Sequence, residues 1–171
     1  MAKTKQVIVL RKDLGMRLGK AVAQGSHAAM KVFFDKMKIM LGSDEDNATF
    51  YTITGNITDA MVEWIQGSYA KIVVWCKDES ELFQLKHISD VSGIANALIL
   101  DEGRTEFKEI CPDCNGLGVH VSALGAPLVD SLSCMKCNGT GKVGKPTYTA
   151  LAIGPDYADR IDPITKDLPL A

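Results

Sequence analysis

Apolar and polar positions divide the chain into short hydrophobic runs separated by amphipathic stretches. Gln6-Val-Ile-Val-Leu-Arg11 has the β-branched, unbroken character of a buried strand, and Gly15 and Gly19 punctuate the turn that follows it. From Lys20 the spacing becomes helical and predicts a helix over about 20–40. At about 100° per residue, Val22, Ser26, Ala29, Met30, Phe33, Met37 and Met40 form one side of it. Lys20, Gln24, His27, Lys31 and Lys38 form the opposite, polar side. Ala21, Ala23, Gly25, Ser26, Ala28 and Ala29 are small enough to let the helix backbone approach a sheet closely.

Beyond an acidic turn cluster, Gly42-Ser-Asp-Glu-Asp-Asn47, Thr58–Gln66 reads as a short helix stopped by Gly67. Lys71–Cys76 is a second strand. Asp78 opens a third helix that runs to about Val91, with Glu81 in a capping-box position and Gly93 as its stop. Ala95–Leu100 is a third strand that delivers Asp101 at its end, and Tyr148–Ile153 is a fourth, after which Gly154-Pro155 leads into short helical pieces. Strands alternating with helices make an α/β fold: a four-stranded mixed sheet with helices on both faces. Cys76 reads as a buried thiol, and His87 as a surface or core histidine.

Charge changes this picture more than composition does. The net charge of −2 hides an asymmetry: residues 1–38 carry nine Lys and Arg against two acids, the remainder ten against nineteen. A localised basic segment containing Lys20 favours a polyanionic partner, against the plainer reading of a charged face covered by acids. No apolar run approaches the ~20 residues that span a bilayer, and the first residues lack a signal-peptide pattern. A cytoplasmic protein without membrane contact is expected, its five cysteines reduced or metal-bound. The chain has no nucleophile elbow, Walker loop or dinucleotide fingerprint.

Cys111-Pro-Asp-Cys114-Asn-Gly-Leu-Gly and Cys134-Met-Lys-Cys137-Asn-Gly-Thr-Gly are two copies of one pattern, with nineteen residues between Cys114 and Cys134. That spacing predicts a four-cysteine site, and four thiolates select Zn2+ over hard cations. His120 is not needed as a ligand. Four thiolates leave no open coordination position, so one structural zinc per chain is expected, held by an insertion over 110–145. Residues 1–109 and 146–171 then form the main domain.

Arg11-Lys-Asp-Leu-Gly-Met-Arg-Leu-Gly-Lys20, Ala23-Gln24-Gly-Ser-His27-Ala28, Asp101-Glu-Gly-Arg-Thr105, Thr147-Tyr-Thr149-Ala-Leu-Ala-Ile-Gly-Pro155 and the closing Ile161–Leu170 together resemble the type-2 peptidyl-tRNA hydrolases. The cysteine repeats resemble the zinc region of DnaJ-type cochaperones, with two copies in place of four. The first resemblance implies a carboxylic ester hydrolase that releases a peptidyl or N-blocked aminoacyl group from tRNA in translation, acting as a homodimer. It implies Lys20, Asp101, Thr105 and Thr149 as catalytic residues, and its motifs include Gln24 and His27, which join Arg104 as substrate-binding candidates. The basic segment adds Arg17 and Lys31, although Lys31 reads equally as part of a solvated face. From the residues alone, Asp101 reads equally as a carboxylate that orients water or as the cap of its own turn. Lys20 has three candidate roles: phosphate binding, oxyanion stabilisation, or holding the charge on Asp101. Glu102 departs from the small residue usual in the family and either raises the pKa of Asp101 or points away. The rival reading is a non-catalytic zinc-knuckle protein that binds RNA or unfolded peptide.

Overall fold

The apolar run near the N-terminus becomes the centre of the sheet because both of its faces are covered. The computed structural model describes residues 3–43, 49–119 and 132–171. In chain order the elements are β1 (Thr4–Arg11), α1 (Leu18–Phe34), β2 (Met37–Ser43), β3 (Thr49–Gly55), α2 (Asp59–Gln66) and β4 (Lys71–Cys76). There follow α3 (Glu79–Val91), β5 (Asn96–Asp101), β6 (Lys108–Ile110), β7 (Lys142–Gly144), β8 (Thr147–Tyr157) and α4 (Ala158–Thr165). The chain forms two compact units, Met1–Ile99 with Thr149–Ala171, and Leu100–Tyr148.

The main sheet has four strands in the order β4-β1-β8-β5. β1 runs parallel to β4 (Gln6 opposite Lys71, Arg11 opposite Cys76) and antiparallel to β8 (Val9 opposite Leu151), so the sheet is mixed as expected. Alternate side chains of β1 enter two layers. Ile8 and Leu10 pack with Ala21, Ala28, Ala29 and Val32 of α1 and Met61 of α2. Val7 and Val9 are buried on the opposite face, where α3 and α4 meet β1 and each other. Helices therefore cover both faces. Among the described helices none is long and apolar enough to cross a membrane.

Local signals set several helix ends. The Thr58 hydroxyl accepts the Met61 amide and Gly67 closes α2. Asp78 accepts the Glu81 amide at 2.9 Å, while the Glu81 carboxylate accepts the Lys77 amide at 2.6 Å, a capping box displaced by one residue. Cys76 is buried, which pushes its thiol up to about 12, and His87 is exposed.

The structure corrects the first helix in two respects. It ends at Phe34, not near Met40, because Met37–Ser43 pairs antiparallel with Thr49–Gly55 as a two-stranded ribbon. Lys38-Ile-Met-Leu41 contains no helix breaker, and the β-branched and aromatic residues of β3 supply a non-local partner that overrides helical propensity. The buried side of α1 is also rotated: Ala21, Gln24, Ala28, Ala29 and Val32 face inward, and Val22 and Met30 are exposed. Small residues allow close packing on β1, so the helix turns its alanines, not its larger side chains, to the sheet. The acidic cluster predicted at 42–47 begins at the end of β2, but 44–48 lie outside the described residues.

At the end of β1 the buried Arg11 guanidinium binds Asp13 at 2.7 Å and Glu79, at the start of α3, at 2.5 Å. The hydrogen bond from Arg11 holds the Asp13 carboxyl below its ordinary range, against the opposing effect of burial. A carboxyl lowered on folding stabilises the fold above its unfolded pKa of ~3.9 and loses that contribution as pH falls through the folded value. Urea midpoints measured between pH 7 and pH 2 should therefore fall on the acid side, and Asp13→Asn should flatten part of that fall.

Candidate functional site

α1 starts directly after the turn that follows β1, which places Lys20 in its first turn. Backbone N–H groups there lack helical partners and favour anions, and that turn contains no acid. Lys20 is half-buried, Arg17 occupies the exposed N-cap position, and His27 is exposed farther along. Lys31 is exposed and ion-paired with Asp35 at 2.6 Å.

Gln24 lies on the buried side of α1, only 4% exposed. Thr149, fully buried on β8, has its hydroxyl 2.7 Å from Gln24 Oε1 and 3.5 Å from the Ile99 carbonyl. A hydroxyl has one proton, and the shorter contact takes it, which fixes the orientation of the Gln24 amide. The sequence signal for this burial was the recurrence of Gln24 with Ala21, Ala28 and Val32 at helical spacing, a stripe of mostly small residues.

In the second unit Asp101 closes β5, half-buried, and its Oδ1 accepts the Gly103 amide at 2.8 Å. The turn-cap reading is thus realised. Glu102 binds Arg104 at 2.7 Å, both side chains being well exposed. Thr105 is exposed.

The cysteine repeats fold as a pseudo-symmetric pair. Cys111, Cys114, Cys134 and Cys137 are buried, and their sulfurs all lie within 4.8 Å of one another. The Cys111–Cys134 and Cys114–Cys137 sulfurs are 3.9 and 3.7 Å apart. Ligands about 2.3 Å from a tetrahedral metal stand about 3.8 Å from each other, so the sulfurs fit such a centre. The amides of Gly118 and Gly141 each donate to a cysteine sulfur, Cys114 and Cys137, at 3.3 Å. Burial opposes ionisation of Cys137, but the Gly141 amide and the neighbouring thiols outweigh it and lower the thiol to about 7. Burial pushes Cys111 up to about 11. Asp113 and Lys136, at equivalent positions of the two repeats, are paired at 2.7 Å. His120 lies outside the described residues.

The family Peptidyl-tRNA hydrolase PTH2 matches residues 4–135. The chain belongs to this family. Residues Lys20, Asp101 and Thr105 fall within the match, and Thr149 lies beyond it. Among similar proteins, the peptidyl-tRNA hydrolase of Methanopyrus kandleri is 28% identical over 166 residues, 97% of each chain. That of Thermoplasma acidophilum is 34% identical over 114 residues, 67% of this chain and 83% of its own. That of Methanocaldococcus jannaschii is 27% identical over 166 residues, covering 97% of this chain and 98% of its own.

Two stability tests follow from the geometry. Thr149→Val keeps the shape but leaves the buried Gln24 oxygen without this donor, and should cost about 1–3 kcal/mol in denaturant unfolding. At Gly141 the backbone φ is +72°, and an added Cβ would meet the Gly116 carbonyl oxygen at 2.2 Å. Gly141→Ala should therefore lower the metal content that the purified protein retains on dialysis.

Proposed function

We propose that this protein hydrolyses, in the cytoplasm, the ester that joins a peptidyl or N-blocked aminoacyl group to the terminal ribose of tRNA. The observation that carries the reading is the family match together with the Lys20 and Asp101 motifs it spans. Asp101 orients a water molecule and takes its proton as the water oxygen bonds to the ester carbonyl carbon. The Lys20 ammonium stabilises the developing oxyanion, assisted by the N-terminal turn of α1. Collapse of the tetrahedral intermediate breaks the bond to the ribose oxygen, which receives the proton from Asp101. The products are the free acid and a tRNA with an intact hydroxyl. The Thr105 hydroxyl hydrogen-bonds the water or the substrate.

Thr149 acts through Gln24, whose amide it orients, and is a positioning residue in this scheme; the oriented amide serves the substrate. Arg17, His27, Lys31 and Arg104 hold phosphates. The ion pairs of Lys31 and Arg104 support that assignment, because exposed pairs are worth about 0–1 kcal/mol and exchange readily for phosphate contacts. The four cysteines hold a single Zn2+, the ion that a four-thiolate set selects. With no open coordination position that zinc maintains the second unit's fold, and the hydrolytic groups are the side chains above.

The test is release of the acyl group from N-acetyl-aminoacyl-tRNA. Asp101→Asn and Lys20→Ala should each lower kcat/KM by about a hundredfold or more with unchanged circular dichroism. Wild-type rates in both variants would overturn the site.

A further inference from the structure

Within the second unit, the loop that carries Asp101 and Thr105 is held by the same ribbon that carries the cysteines. β6 and β7 pair antiparallel, with Lys108 opposite Gly144, Glu109 opposite Val143 and Ile110 opposite Lys142. At one end the ladder runs into the sulfur cluster: the Cys111 amide donates to the Gly141 carbonyl at 2.9 Å, and the Gly141 amide donates to the Cys137 sulfur. At the other end it closes on the residues that follow β5. The Lys145 amide donates to the Phe107 carbonyl at 2.7 Å, and the Lys108 ammonium donates to the Arg104 carbonyl at 2.6 Å. There the two segments touch backbone to backbone. A Cβ added at Gly144 would stand 2.4 Å from the Glu102 carbonyl oxygen, and one at Gly103 would stand 2.4 Å from the Lys145 amide nitrogen. Gly103 is the residue whose amide the Asp101 carboxylate accepts.

We propose that the β6–β7 ribbon is a clamp on the Asp101–Thr105 turn, so that a metal held by the four sulfurs fixes the position of the Asp101 carboxylate, with Gly144 as the positioning residue. The clamp rests on the hydrolytic reading above and adds to it a dependence of the rate on the metal. At about 3.4 Å per residue, the three pairs span only roughly 10 Å. A two-stranded ribbon is marginal in water without a third strand, a helix or a packed face, and all three residues of β6 are exposed. Its register therefore depends on what anchors its ends: the sulfur cluster at one, the Asp101 turn at the other. With metal bound, the ribbon is closed and the Gly144 backbone presses on the Glu102 carbonyl. Without metal the far anchor is lost, Gly144 and Lys145 withdraw, and the turn that orients Asp101 loses its backing. A metal with no open coordination position thus sets the rate without touching substrate, through one short hydrogen-bonded element that is either closed or open. Had the cysteine repeats served only to grip nucleic acid, the metal would govern KM and leave kcat alone.

Hydrogen exchange and kinetics on the full chain test it. Removing zinc with a chelator should speed exchange of the Gly103 and Lys145 amides about tenfold or more, while the amides of β1 and α1 keep their protection. Gly144→Ala, assayed with zinc in excess so that the sulfurs stay loaded, should retain its metal yet lower kcat on N-acetyl-aminoacyl-tRNA about tenfold or more, with KM changed by less than about twofold. Glu109→Ala, which removes an exposed side chain from the middle of the same ribbon, should leave kcat unchanged. Exchange at Gly103 that is indifferent to zinc overturns the clamp, and so does a metal-loaded Gly144→Ala protein with the wild-type kcat. Exchange needs no turnover. A wild type that releases no acyl group would therefore sink the hydrolytic reading, while the zinc dependence of the Gly103 amide still decides whether the ribbon holds the turn.

Discussion

The double burial of β1 governs the first unit. It is hydrogen-bonded along one edge to β4 and along the other to β8, while its side chains alternate between two helical layers. Ile8 and Leu10 lie in the layer of α1, and Val7 and Val9 in that of α3 and α4. A strand covered on both faces leaves α1 space only for small side chains against it, which Ala21, Ala28 and Ala29 satisfy. That close approach brings the Gln24 amide within reach of the Thr149 hydroxyl on the adjacent strand. It also starts the helix directly after the strand-end turn, with Lys20 in its first turn. Packing at the centre of the sheet and the polar groups at its rim are one arrangement.

The cysteine knuckles are stabilised differently. Their core is the four sulfurs, with Val143 as the partly buried hydrophobic packed on them. So little apolar area cannot offset the conformational entropy of ordering two loops, and the four clustered sulfurs are compatible with a structural metal site that would supply the difference. The glycines serve that geometry. The Cβ of an alanine at Gly118 would meet the Gly139 carbonyl oxygen at 2.3 Å, and at Gly141 that of Gly116 at 2.2 Å, so each repeat turns tightly against the other. The repeat in the sequence is therefore also a repeat in space.

Two exposed cations are matched by near neighbours in sequence: Lys31 by Asp35 and Arg104 by Glu102. The departure at Glu102 is thereby given a partner, since its carboxylate is engaged by Arg104. Such pairs hold little energy at the surface, which keeps the cations exchangeable. The Arg11 cluster is of another kind, for its guanidinium is buried and ties the end of β1 to the start of α3.

Features that depend on near neighbours were legible in the sequence. The apolar runs became β1, β4, β5 and β8, Thr58 and Asp78 cap the helices that follow them, and the Cys-x-x-Cys-x-Gly-x-Gly repeats bring four sulfurs together. Each is decided within a few residues by propensity, capping or ligand spacing. Tertiary structure decided the rest. It ended α1 at Phe34, because the residues beyond it found a strand partner in Thr49–Gly55. It turned the alanine side of α1 inward, because a helix face is chosen by the surface that receives it. It paired Gln24 with Thr149, 125 positions away, through the strand order β4-β1-β8-β5. Local periodicity identifies an amphipathic helix, but which of its sides is buried depends on contacts that no window of neighbouring residues contains.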